Sequence, residues 1–189
     1  MIKLHMASVP LDPVTLDEAK AHLRVESGDD DALITALVSA GSRNVEEYCR
    51  RSLMVTSWAL LLNKFTEYIE LPRAPVASVE TVQFKSGDQT VILAGTQYIL
   101  NSEVSPALLY AAPDVDWPTW GDDIQSSVRI SYTAGVADAA NVPAPIKAAI
   151  LLMVGHLYEN REAVIVGTIA KELPLAVESL LLPYRVSSL

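Results

Sequence analysis

Few residues in this chain are equipped for acid–base or nucleophilic chemistry: three histidines (His5, His22 and His156) and one cysteine, Cys49, among 189 residues. A single cysteine excludes an intrachain disulfide, and the histidines and cysteine are too few for a Cys/His zinc cluster. His156 is the most interesting of them, because on a helix it lies one turn from Glu159 and Asn160 and could pair with Glu159. Glu159 and Glu162 imitate a general acid/base pair, yet with Arg161 between them at helical spacing they read as a charged solvated or interfacial face. Cys49 falls on an apolar stripe and reads as a core residue, although Arg50 and Arg51 follow it. The run Asp29-Asp30-Asp31 offers carboxylates to calcium but lacks the further ligands and late Glu of a calcium loop, so it reads as a helix cap. No G-x-S-x-G elbow, phosphate loop, dinucleotide fingerprint or H-E-x-x-H helix occurs, and eight glycines are too scattered to cradle a phosphate. The sequence therefore predicts a non-enzyme with no catalytic residue, cofactor or metal.

Recognition chemistry is the remaining option. Trp117 and Trp120 stand three residues apart in the acidic stretch DVDWPTWGDD. They either fold back to cap neighbouring strands or form a protruding contact loop, since rigid aromatics anchor interfaces; a carbohydrate platform is a third use. Fourteen basic residues against twenty-three acidic ones give a formal charge of -9, which opposes phosphate binding by the surface as a whole. The longest apolar runs, such as Ala148 to Gly155, fall short of the roughly 20 residues of a membrane span. The start MIKLHMASVPLDP lacks the long apolar stretch of a secretory signal, so a soluble intracellular protein is expected.

The elements that would position these residues divide by period. Thr15-Leu-Asp-Glu18 is a capping-box helix start, and Leu16, Ala19 and Leu23 continue it toward an end near Ser27 and Gly28. After the acidic run, Leu33, Ile34, Leu37, Val38, Gly41, Val45, Tyr48 and Cys49 make one stripe of about five turns. From Leu53 the period becomes that of strands: Val55 to Leu62, Tyr68 to Leu71, Val79 to Phe84, Thr90 to Leu93, Tyr98 to Leu100, Ala107 to Tyr110 and Val128 to Tyr132. Ser86-Gly87-Asp88 reads as a hairpin turn in which Gly87 supplies a positive φ. A third helix opens at Pro143 and Pro145 and runs to about Arg161. A last short helix opens at Leu173-Pro174 and is stopped by Pro183, leaving the tail from Tyr184 to Leu189 free. The predicted fold is α+β: a bundle of about four helices (14–52 and 143–183) with an antiparallel β insertion (53–133) between helices two and three.

The combination of segments resembles the head-tail connector (adaptor, or head-completion) proteins of long-tailed double-stranded DNA bacteriophages and prophages. The N-terminal LDEAKAHLRVE, the helix DDDALITALVSAGSRNVEEYCRRSL, and the segments VTSWALLL and YIELPRAPVASVETVQF are similar to the family's first half. VRISYTAGVADAANVPAPIKAAILLMVGHLYENREAV and the ending LPLAVESLLLPYRV are similar to its second half. The resemblance implies a ring, usually twelvefold, beneath the portal protein at the capsid vertex. That ring would be a platform for stopper or tail-completion proteins, with DNA passing through it without sequence-specific binding. It implies a location in the virion at the head-tail interface, after assembly in the bacterial host cytoplasm. The tail residues Tyr184, Arg185, Val186 and Leu189 are the candidate portal contacts. Trp117, Trp120, Tyr158, Glu159, Arg161 and Glu162 are candidates for ring or tail contacts. The alternative is a non-catalytic protein- or carbohydrate-binding module built on Trp117 and Trp120.

Overall fold

The computed structural model describes residues 3–87, 89–118, 128–160 and 175–186. The chain divides into two compact units, one comprising Leu11–Met54 and Ala137–Arg185, the other Met1–Pro10, Val55–Val136 and Val186–Leu189. Among the described residues there are four α-helices and two antiparallel sheets, an α+β fold.

The helical unit begins with α1 (Leu16–Leu23), whose capping box forms as its residues dictate: the Glu18 amide donates to Thr15 Oγ1 at 3.2 Å and the Thr15 amide to Glu18 Oε2 at 2.8 Å. Its end differs from the expectation at Ser27 and Gly28. Arg24 takes the left-handed conformation (φ 57°), and the Val25 amide closes a Schellman turn onto the Lys20 carbonyl at 3.0 Å. The helix α2 (Asp31–Cys49) ends in the same way, with Arg50 at φ 54° and the Arg51 amide on the Glu46 carbonyl at 3.1 Å. Its acidic start does not act as a side-chain cap. The Asp30 carboxylate instead accepts from the Tyr158 hydroxyl at 2.5 Å, and Asp31 pairs with Lys20 at 2.6 Å.

The stripe Ile34, Val38, Gly41, Val45 and Cys49 is buried, as its spacing requires. It packs on α3 (Ala144–Glu159), which contributes Ile146, Ala149, Ile150, Met153 and Val154. The short α4 (Leu175–Leu181) packs on α3 and buries Val177 and Leu181. Both later helices stop earlier than the periodicity suggested: α3 ends at Glu159, and Pro183 falls within a 3-10 turn over Leu182–Tyr184 that follows α4.

The β unit holds one strand that the sequence reading missed, β1 (Lys3–Met6). It pairs with β2 (Thr56–Leu62), so the sheets are not built solely from chain lying between the second and third helices. Then follow β3 (Tyr68–Leu71), β4 (Val76–Ser86), β5 (Gln89–Ile92), β6 (Tyr98–Asn101), β7 (Ala107–Ala111) and β8 (Val128–Ala134). The five-stranded sheet has the order β1-β2-β8-β4-β5 and the three-stranded sheet β3-β7-β6. The hairpin between β4 and β5 pairs Ser86 with Gln89, and Gly87 has φ 61°, the positive value its turn was expected to need. Alternation places Leu60, Ile130, Tyr132, Val82 and Phe84 of the larger sheet in one core with Leu71 and Leu109 of the smaller. Tyr132 is fully buried, and its hydroxyl is satisfied by the Pro72 carbonyl at 2.9 Å.

Candidate interaction surfaces

The C-terminal residues expected to be free are held in place as far as they are described. Arg51, carried just beyond the Schellman turn of α2, donates from Nε to the Tyr184 carbonyl at 2.6 Å. The Arg185 guanidinium lies 5.3 Å over the Tyr48 ring, a cation–π contact. Tyr48 in turn donates its hydroxyl to Glu178 of α4 at 3.1 Å. Val186 is 8% exposed. A guanidinium and an aromatic ring at the end of α2, remote in sequence from the tail, thus fix a segment that local composition marks as frayed. Leu189 lies outside the described residues. Around this end Leu175 (84% exposed) and Leu182 (61%) leave apolar surface in solvent.

The end of α3 holds the second group of candidates. Tyr158 is engaged with Asp30, while Glu159 is exposed. His156 does not meet Glu159: the Asn160 side-chain amide lies 3.4 Å from its Nδ1 and donates to its carbonyl at 2.8 Å, closing the helix end. Arg161 and Glu162 lie outside the described residues, so the acid/base pairing weighed for Glu159 and Glu162 does too.

The third group is the tryptophan stretch. Trp117 stacks on Phe65 (centroids 4.6 Å apart, planes at 2°), and Phe65 meets Phe84 edge-on at 6.0 Å. Trp117 is partly buried against the β core, which is the folded-back arrangement; Trp120 lies outside the described residues.

Burial pushes the Cys49 thiol up to about 11, against the opposing pull of the nearby arginines, so it is protonated at neutral pH. Among the described residues no three His, Cys, Asp or Glu side chains gather as metal ligands. No helix among them is long and apolar enough to cross a membrane.

Sequence reasoning missed several charged residues with structural contacts. Glu46, 4% exposed in α2, accepts the Leu53 amide at 2.8 Å and pairs with Arg43, which also reaches Asp12 at 3.2 Å. Arg73 lies 5.0 Å over Trp58. The one local signal for such residues was a charged side chain at an apolar position of the helical stripe, as Glu46 is beside Val45 and Cys49.

Comparison with known proteins places this arrangement. Residues 13–90 match the family model described as Phage gp6-like head-tail connector protein, which bears out the resemblance in the first half of the chain. The fold is similar to a chain in the neck of an empty gene transfer agent (GTA) particle computed with C6 symmetry: TM-score 0.79 and 20% identity, covering 99% of this chain and 97% of that one. It is similar to a chain in the virion of a native GTA particle, with TM-score 0.78 and 21% identity over 98% and 96% of the two chains. A chain in the neck of a native GTA particle computed with C12 symmetry gives 0.75 and 20% over 99% and 97%. No curated protein sequence matches this chain.

Proposed function

We propose that this chain is a head-tail connector: a non-catalytic subunit that closes a ring in the neck of a phage or phage-like particle and joins the DNA-filled head to tail proteins. The observation that carries this reading is the connector-family match over residues 13–90. The neck fold extending over 99% of the chain supports it. In this reading the helices form a bundle from which most of the β unit is inserted between α2 and α3. A head-to-tail ring needs two different complementary surfaces on each subunit, and separate helical and β units provide them. The C6 and C12 symmetries of the similar necks favour six- or twelvefold closure.

The portal protein and a stopper or tail-completion protein are the partners of such a ring, at the head-tail interface of the virion. Arg185 and Leu189 near the C-terminus, Glu159 at the end of α3, and Arg161 and Glu162 just after it in sequence are the residues proposed to meet them. Tyr184, Val186 and Tyr158 serve those contacts by holding their segments in place.

The test is attachment of the purified chain to portal-bearing heads that lack their connector, combined with molar mass by light scattering. Attachment in stoichiometric copies is expected. Failure to attach, with saturable glycan binding that depends on Trp117 and Trp120 instead, would establish the alternative binding module.

A further inference from the structure

Strand register gathers three cations on one surface of the acidic chain. Directly opposed residues of antiparallel strands share a face. The row Lys3, Leu61, Arg129, Gln83, Ile92 therefore crosses all five strands of the larger sheet on one side. A neighbouring row joins His5, Ala59, Ser131 and Thr81, and on the other flank Lys85 stands opposite Thr90. The opposite face carries Leu60, Ile130 and Val82 into the core; on the basic face the cations are exposed, while Ala59 is buried and Leu61, Gln83 and Ser131 are half-buried. Lys3, His5, Arg129, Lys85 and Thr90 are all exposed. Lys3, Lys85 and Arg129 make no ion pair among the described residues. The five strands contain one carboxylate, Glu80, at the bulge between Val79 and Thr81.

From strand spacing, Arg129 lies about 10 Å from Lys3 and about 8 Å from Lys85 at the backbone. Salt screens exposed charges beyond about 8 Å at physiological strength, so the patch acts on a polyanion at short range. Leu61 stands between Lys3 and Arg129, and Gln83 lies beside Arg129 toward Lys85; to one side of that row follow Ser131 and Thr81, then Thr133 and Ser78, which are joined by a 2.8 Å hydrogen bond. Hydroxyls, amides and cations are the side chains that contact phosphate oxygens. The centre of a protein-protein interface is by contrast depleted of Lys and Ser and rich in aromatics.

We propose that this basic sheet face binds the phosphate backbone of duplex DNA, without sequence preference, and is the surface turned toward the passing duplex. The choice of DNA as the polyanion rests on the connector reading; the cation pattern does not.

The experiment is fluorescence anisotropy of the full chain with a labelled mixed-sequence duplex, at about 50 and about 200 mM salt. Three phosphate contacts predict an affinity loss of about 40-fold between those conditions. The variant Lys3→Gln/Lys85→Gln/Arg129→Gln should lose most of the binding and flatten the salt slope. The charge-conserving Lys3→Arg/Lys85→Arg/Arg129→Lys should keep both, with thermal unfolding of each compared to the parent. Absence of duplex binding at the lower salt, or binding that the neutral variant retains, overturns the proposal. If the neutral variant instead alters molar mass and leaves DNA binding unchanged, the face is a contact between copies and the proposal falls while the ring reading stands. Salt-dependent binding lost in the neutral variant, in a protein that does not attach to heads, would leave the DNA face standing and remove the ring.

Discussion

At the scale of single residues, two titrations separate structural from reactive roles. The Cys49 thiol, raised to about 11 by burial, is almost wholly protonated at pH 8. A thiol reagent at that pH should modify the folded chain at least about 100-fold more slowly than the denatured chain, as followed by mass spectrometry. Glu18 behaves oppositely: the Thr15 amide, with help from Lys147 at 3.3 Å, holds its carboxyl below the usual carboxylate range against some burial. A carboxyl lowered in the folded state contributes stability that is present above its unfolded pKa and lost as pH falls through the folded value. Glu18→Ala should therefore cost about 1 kcal/mol near neutral pH, and denaturant titrations should show that cost shrinking toward pH 3. A cost unchanged across that range would mean that the ionised carboxylate is not the stabilising form.

At the scale of elements, the helical unit depends on α2 lying close along α3. Gly41 sits in the buried stripe of α2, and a Cβ there would lie 3.6 Å from Met153 Cγ and Val154 Cγ2, an ordinary contact distance. An interior helical glycine costs about 0.5–1 kcal/mol relative to alanine. Gly41→Ala is thus expected to stabilise the chain by about that amount, read from the denaturant midpoint. Destabilisation would show that the two helices tolerate no added methyl at this position. The helix α1 shows how a helix end escapes local reading. The expectation placed the end near Ser27 and Gly28, yet Arg24 takes the left-handed cap conformation that glycine more often supplies. Its Schellman hydrogen bonds bring the chain round to Asp31, whose pairing with Lys20 spans α1 and α2.

At the scale of the whole molecule, charge governs assembly. Twelve subunits at -9 would total about -108 formal charges, so closure of a twelvefold ring works against a repulsion that salt screens. Light scattering should show a larger molar mass at raised ionic strength than at low salt; equal mass at both would show that repulsion does not limit assembly. A monomer at all salts would move the decisive observation to assembly on heads, where a portal can template the ring.

The amino-acid sequence by itself determined most of the local structure. The capping box at Thr15, the apolar stripe of α2, the strand from Tyr68 to Leu71 and the turn at Gly87 each follow from the period or backbone preference of adjacent residues, which no distant contact has to supply. It also carried the connector resemblance, because that lies in the order of such segments. Tertiary structure decided what depends on partners remote in sequence. Lys3–Met6 is a strand because β2 offers its edge, although four residues contain too little pattern to announce it. Tyr184 and Arg185 are ordered because Arg51 and Tyr48, more than 130 positions earlier, receive them. Lys3, Arg129 and Lys85 share a surface only through strand register, since hydrogen bonding across a sheet joins positions that the linear chain keeps apart.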